Sequence, residues 1–128
     1  MAGRLRVVGE DVQFSMRETS LGLVPDLAGT KPLVDAVGYP RALEICLTGR
    51  WVGAAEAVSA GLATAAVPSV ELDQAARDLA AAILGSPAGA VRATTGLLQG
   101  AGGRTHEEQQ RAERAAQAAR LRDLAEGG

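Results

Sequence analysis

An α/β chain, a few short strands followed mostly by helices, is the fold class the sequence predicts. Three observations carry it. Strand-like runs crowd the first quarter, at "RLRVVG" (Arg4 to Gly9) and "VQFSM" (Val12 to Met16), while helix starts and stops punctuate the rest. The 128 residues fit one domain of modal size, and no linker divides them. The opening strand begins at residue 4 with nothing before it to pair with. Two or three short strands do not make an independently stable sheet, so the chain reads as the second half of something larger.

The elements follow in order. Arg4 to Gly9 alternates and becomes β-branched, and Val12 to Met16 follows the acidic turn Glu10-Asp11. Gly22 to Gly29 carries turn residues at Gly22, Pro25, Asp26 and Gly29 and is expected to be a loop. Thr30 is placed to cap a helix starting near Lys31, with Pro32 in its first turn. A second helix is expected from Pro40 to Leu47, with Leu43 and Leu47 as its apolar stripe and Gly49 as its C-terminal stop. "VGAAEAVSAGL" reads as a short helix ended by Gly61, and "ATAAVP" as a short strand ended by Pro68. Ser69 is the expected N-cap of the next helix, with Leu72, Ala76, Leu79 and Ile83 on one face. Ser86-Pro87 opens another helix through about Leu98, which "GAGG" (Gly100 to Gly103) breaks. Thr105 to Glu126 is polar, Ala-rich and laced with Arg and Glu, a solvated helix or an arm packing on a neighbouring subunit. Residues 1–68 are thus expected to form a part of strands, a loop and short helices, and 69–128 a helical region.

Composition excludes several functions. The chain is 47% apolar but only 2% aromatic, so its core must be built from Ala, Val and Leu. A net charge of −2 gives no electrostatic reason to expect nucleic acid or an anionic membrane as partner. The single cysteine, Cys46, rules out an internal disulfide and a CxxC metal pair, and reads as a small buried hydrophobe. The single histidine, His106, argues against a His-based triad or metal site and reads as a surface residue at a helix start. No metal site is expected. No apolar run approaches the ~20 residues of a membrane span, the N-terminus lacks a signal-peptide core, and a reducing, cytoplasmic setting is expected. There is no phosphate-binding glycine loop or dinucleotide fingerprint. Trp51 reads as a core or rim aromatic, with packing against a bound acyl chain as the other option.

The stretch "FSMRETSLGLVPDLAGT" (Phe14 to Thr30) poses the functional question, because it places Glu18 after an apolar run and Asp26 eight residues later. From spacing alone, Glu18 is an ordinary solvated strand-end residue. The order of motifs changes that reading. Phe14, Glu18, Leu21, Gly22, Pro25, Gly29 and Thr30, then Gly38, Ala42, Leu47, Thr48 and Gly49, then Ala54, Glu56, Ala57, Gly61, Leu62, Val67 and Pro68 keep one order and spacing over more than fifty residues. This run resembles the C-terminal half of the enoyl-CoA hydratase/isomerase (crotonase) family, in which A-x-F-G-x-P-E-x-x-L-G-x-x-P-x-x-G-G-T is followed by L-T-G, A-x-E-A and V-P motifs. The chain departs from that pattern at Arg17, where the family has Pro, and at Ala28, where it has the first Gly of a pair.

The resemblance implies a spiral crotonase-type fold present as its C-terminal portion, and chemistry on acyl-CoA thioesters. Leu5 to Val8 resembles the strand just past the family's oxyanion-hole helix. The two backbone N–H donors that bind the thioester oxygen, and the first catalytic acid of the hydratases, therefore correspond to nothing in these residues. Losing one such donor costs ~10²–10³ in rate, so the chain alone is expected to be inactive. Glu18 matches the family acid that acts at the α-carbon. An acid/base carboxyl needs apolar surroundings, and Leu21 and Leu23 are expected to supply them. Asp26 resembles the second acid of the dienoyl-CoA isomerase branch, although an Asp after Pro is also common for local hydrogen bonding. Leu21, Gly22, Leu23 and Pro25 are the expected substrate-binding residues. Arg17 is not expected to meet Glu18, since neighbours on a strand point to opposite faces.

Coenzyme A thioester is expected as substrate, with no separate cofactor. Partners are a homo-oligomer of trimer type, as in the family, or the missing N-terminal half. Hydratase and isomerase stay equally open, and so does acyl-chain length. The other readings are a non-catalytic oligomerisation module and a truncated gene product without independent activity. Leu5, Val7, Phe14, Leu21 and Leu23 are expected to lack cover.

Overall fold

The computed structural model describes residues 5–23, 25 and 29–127. They fall into two compact units, Met1–Arg77 and Asp78–Gly128. In the first unit, β1 (Val7–Gly9) pairs in parallel with β4 (Ala65–Val67), Val7 opposite Ala65 and Gly9 opposite Val67. The opening strand, expected to have nothing before it to pair with, finds its partner later in the same chain. A parallel pair needs a long crossover, and the helices between the two strands supply it. Just before β1, Arg6 fastens the same junction: its Nη1 donates to the Leu62 carbonyl at 2.6 Å, and its backbone N–H donates to Thr64 Oγ1 at 3.0 Å.

β2 (Gln13–Phe14) pairs antiparallel with β3 (Val52–Gly53), Phe14 opposite Val52. Sequence periodicity misses β3 because two residues are too few to alternate; by pattern alone, Val52 and Gly53 merge into the helix that follows. α1 (Thr30–Val37), α2 (Tyr39–Thr48) and α3 (Ala54–Ala60) complete the layer. Gly49 and Gly61 end α2 and α3 in left-handed conformation, φ 62° and 89°, as the glycine stops require. Thr30 is the first residue of α1 and not its cap; Gly29 occupies the cap position with no side-chain bond.

Nine apolar residues form the core: Leu33 and Val37 of α1, Ala42 and Ile45 of α2, Val52 of β3, Ala57 and Ala60 of α3, and Leu62 and Ala63 after it. This is the Ala, Val and Leu core that the composition demands, with one Ile. Val8, Phe14, Met16, Ala36 and Cys46 pack half-buried against it. The Leu43–Leu47 stripe of α2 does not face this core and is exposed. Two leucines a turn apart define a stripe without fixing its direction. α2 turns inward the adjacent Ala42–Ile45 face, whose smaller residue lets α1 pack close. Of the five side chains expected to lack cover, Leu5, Leu21 and Leu23 are exposed, whereas Val7 and Phe14 are half-buried.

Ser69 does not cap α4 (Leu72–Leu84) either. A 3-10 turn, Ser69–Glu71, precedes that helix, and the Ser69 hydroxyl donates to the Asp11 carboxylate. On α4, Leu72 and Leu79 are half-buried, but Ala76 and Ile83 are exposed.

The second unit pairs α5 (Ala88–Ala101) with α6 (His106–Ala125). Thr105 caps α6 in a capping box: its Oγ1 accepts from the Glu108 N–H at 3.1 Å, and its own N–H donates to Glu108 Oε1 at 2.8 Å. His106 is exposed at the helix start, as the sequence predicts. Gln109 Nε2 ties α6 to the Leu97 carbonyl of α5 at 3.1 Å. α5 and α6 contain no fully buried residue. No helix among the described residues is long and apolar enough to cross a membrane.

Candidate active site

Glu18 opens a 3-10 turn, Glu18–Leu21, and is not the end of a strand. Local chemistry builds that turn. The Arg17 carbonyl accepts from both the N–H and the hydroxyl of Ser20, at 3.1 and 2.6 Å. The Glu18 carbonyl accepts from the Leu23 N–H at 2.9 Å, and Gly22 closes the turn with φ 76°. Ser20 and Gly22 thus satisfy the backbone of the turn, a competition of side chain with backbone that periodicity does not register.

The turn rests on the C-terminal end of α2. A Cβ on Gly49 would stand 3.4 Å from Ser20 Oγ and 3.5 Å from Arg17 Cα. Glycine is therefore suited here both for its positive φ and for the close approach of the turn. Ser15 Oγ adds a hydrogen bond to the Gly49 carbonyl at 3.3 Å.

The Glu18 side chain is half-buried, and its Oε2 is a buried side-chain oxygen with no hydrogen-bond partner among the described residues. Leu21 and Leu23 do not enclose it; they are 73% and 62% exposed. The expected apolar wall is therefore corrected: the turn carries those leucines outward. On the protein side stands Cys46 of α2. Burial pushes its thiol pKa up, and the negative charge of Glu18 pushes it further. Cys46 is half-buried against the core, close to the small buried hydrophobe expected.

Gly22 is exposed and Pro25 half-buried. Asp26, the second expected acid, lies outside the described residues. Arg17 does not pair with Glu18; its guanidinium sits over the Trp51 ring, 5.6 Å from the centroid. The outcome is the expected one, but the reason is a ring contact and not opposite strand faces. Trp51 is a half-exposed rim aromatic, 53% accessible.

Sequence reasoning missed Arg50. It donates from Nε to both Glu44 carboxylate oxygens, at 2.7 and 2.9 Å. Nη1 and Nη2 donate to Glu56 Oε1 and Oε2 at 2.8 and 2.6 Å, and Nη1 also reaches the Trp51 carbonyl at 3.3 Å. The signal was present, since an acid stands six residues away on either side of Arg50. Among the described residues, no group of three or more His, Cys, Asp or Glu is placed to hold a metal ion.

Comparison with known proteins places this turn in a family context. The family model described as enoyl-CoA hydratase/isomerase matches residues 1–124. A Thermobifida fusca YX protein of enoyl-CoA hydratase type, crystallised in complex with CoA, is 49% identical with a TM-score of 0.89; the match covers 96% of this chain and 48% of that one. The same kind of protein from that organism with acetoacetyl-CoA is 48% identical, with a TM-score of 0.88 over 94% and 47% of the two chains. The peroxisomal fatty acid beta-oxidation multifunctional protein MFP2 of Arabidopsis thaliana is 40% identical over 85 residues, 66% of this chain and 12% of its own length. The enoyl-CoA hydratase-type protein echA8 of Mycobacterium tuberculosis is 35% identical over 86 residues, 67% of this chain and 34% of its own length. The chain thus spans about half of the solved relatives and a third of the mycobacterial one. With the family pattern, the mixed α/β architecture and these relatives in agreement, the chain belongs to the enoyl-CoA hydratase/isomerase family.

Proposed function

We propose that this chain supplies the acid/base half of an acyl-CoA thioester site, with Glu18 as the group that exchanges a proton with the α-carbon. One observation carries the reading: at the position of the family's acid, Glu18 has a buried carboxylate oxygen that no described residue engages. Buried polar atoms are nearly always hydrogen-bonded, and an exception asks for a functional reason. A carboxyl whose role is to exchange a proton with substrate needs an oxygen free for it. The CoA and acetoacetyl-CoA complexes of the Thermobifida fusca relatives support a CoA thioester as substrate.

In hydration of a 2-enoyl thioester, the hydroxyl of water adds at the β-carbon, Glu18 delivers the proton that the α-carbon gains, and the proton that the water releases restores the Glu18 carboxyl. The developing enolate needs preorganised N–H donors, usually the largest contribution to catalysis. By the family resemblance those donors belong to the part of the relatives that this chain does not match. On this reading the 128 residues do not turn over substrate alone, and they work with a second polypeptide part or within a homo-oligomer of trimer type. Asp26 is the proposed second acid, which would relay a proton along a conjugated acyl chain in an isomerase. Leu21, Gly22, Leu23 and Pro25 line the acyl side. The contrasting reading is an assembly module without catalysis.

An assay of the purified chain with crotonyl-CoA tests the inactivity of the chain alone. The expected result is no hydration above buffer. Turnover that Glu18→Gln abolishes would keep the role of Glu18 and overturn the inactivity of the chain alone. Turnover indifferent to Glu18→Gln would overturn the role itself.

A further inference from the structure

Arg17 stands where the family pattern has Pro, directly beside the proposed acid. A guanidinium and an adjacent carboxylate form charge-assisted hydrogen bonds readily. Such a pair would occupy the carboxylate oxygen that the chemistry needs free, and would favour the charged form of the acid. The structure shows the other outcome: the guanidinium lies 5.6 Å from the centroid of the Trp51 ring, and Glu18 Oε2 keeps no partner among the described residues.

The ring is carried on a well-anchored strand end. Trp51 follows Arg50, whose guanidinium grips Glu44 and Glu56 and also reaches the Trp51 carbonyl at 3.3 Å. On its other side Trp51 leads into Val52, which is 1% exposed and pairs with Phe14. The Arg17 backbone is equally constrained, since its carbonyl takes two hydrogen bonds from Ser20 and its Cα lies close against Gly49. Two fixed backbones thus present a cation to a ring face. At an exposed site, cation–π attraction and a surface ion pair are comparable in strength. Removing the ring is therefore expected to release the guanidinium toward the carboxylate next to it.

We propose that Trp51 is a positioning residue that stores the Arg17 guanidinium on its ring face and so keeps it off the neighbouring Glu18 carboxylate, whose Oε2 has no partner among the described residues. The purpose of an unpaired Glu18 rests on the acid/base reading above. The test instead reads geometry through a thiol, so a failed proposal and a failed catalytic role give different results.

Cys46, the one cysteine, senses the Glu18 charge, which raises its thiol pKa after burial does. Its alkylation rate by iodoacetamide in the full chain reports thiolate fraction. With Trp51→Leu, Arg17 moves to Glu18 and offsets that charge, and the rate constant at about pH 7.5 is expected to rise by about threefold or more. In Trp51→Leu with Arg17→Met the rise is expected to vanish, and Trp51→Phe should keep the parent rate. A merely structural role for Trp51 would loosen the burial of Cys46 and raise the rate with or without Arg17; that equal rise overturns the proposal, as does no rise in Trp51→Leu. A second measurement covers a Trp51→Leu chain that fails to fold. Trp51 is the only tryptophan, so Arg17→Met in the otherwise intact chain must change its fluorescence emission. An emission spectrum identical to the parent's shows that no cation sits on the ring, and overturns the proposal.

Discussion

Arg50 holds Glu56 through two parallel hydrogen bonds, Nη1 to Oε1 at 2.8 Å and Nη2 to Oε2 at 2.6 Å, and so links the start of β3 to α3. The bonds from Arg50 hold the Glu56 carboxyl below its ordinary value of 4.5. A carboxyl depressed in the folded state contributes stability that is fully present above its unfolded value and is lost as pH falls through the folded one. Glu56→Gln is therefore expected to destabilise the chain above about pH 4.5, with the difference from the parent shrinking below it. Denaturant melts of both proteins across acid to neutral pH check this. A difference that grows toward acid would contradict the sign.

Gly61 closes α3 at φ 89°, and a Cβ there would stand 2.7 Å from the Ala36 carbonyl oxygen. Gly61→Ala is expected to cost at least about 1–2 kcal/mol from the left-handed backbone alone, with the approach to Ala36 adding to it. A Cβ on Gly96, in the middle of α5, would meet nothing within 4 Å. Gly96→Ala is expected to gain about 0.5–1 kcal/mol through helix propensity. Urea unfolding of the two variants reads both directions.

Leu33 of α1 is 2% exposed and central to the small core. With so few large side chains to collapse around it, Leu33→Ala is expected to cost about 2–5 kcal/mol. Chemical denaturation followed by circular dichroism measures the loss.

Glu18 and Cys46 are coupled by charge, so Glu18→Gln is expected to lower the Cys46 thiol pKa, leaving burial as the remaining upward push. A pH profile of thiol alkylation should therefore shift to lower pH in the variant. An unshifted profile would separate the two groups.

Exposed Leu5, Leu21 and Leu23 lie in the first unit without cover from its described residues. The purified chain is expected to bind an apolar dye and to self-associate by light scattering, and Leu21→Ser with Leu23→Ser to weaken both. A monodisperse monomer with a cooperative melt and no dye binding would show that the exposed leucines need no partner.

The residues that announced the family also announced its punctuation. Gly49 and Gly61 were legible as helix stops because only glycine takes positive φ without strain, and the Ala, Val and Leu core followed from a chain nearly free of aromatics. What was not legible depends on distant partners. Thr30 and Ser69 look like caps in isolation, but Ser69 is claimed by Asp11, far away in sequence. β3 is recognised by Val52 standing opposite Phe14, a distant partner, since Val52 and Gly53 carry no pattern of their own. At the site, the motif singled out Glu18, yet its 3-10 turn, its thiol neighbour Cys46 and the Arg17–Trp51 contact arise only once α2 is packed beneath it.

The most direct measurement is the hydration rate of crotonyl-CoA by a chimera in which this chain replaces the segment it matches in the Thermobifida fusca relative crystallised with CoA, with and without Glu18→Gln. On the proposed reading, the relative then supplies the rest of the site and this chain the acid. Loss of a general acid/base group lowers rates by about 10²–10⁴, so a fall of at least about a hundredfold on Glu18→Gln is the expected result. A chimera that hydrates crotonyl-CoA equally fast after Glu18→Gln would contradict the role assigned to Glu18.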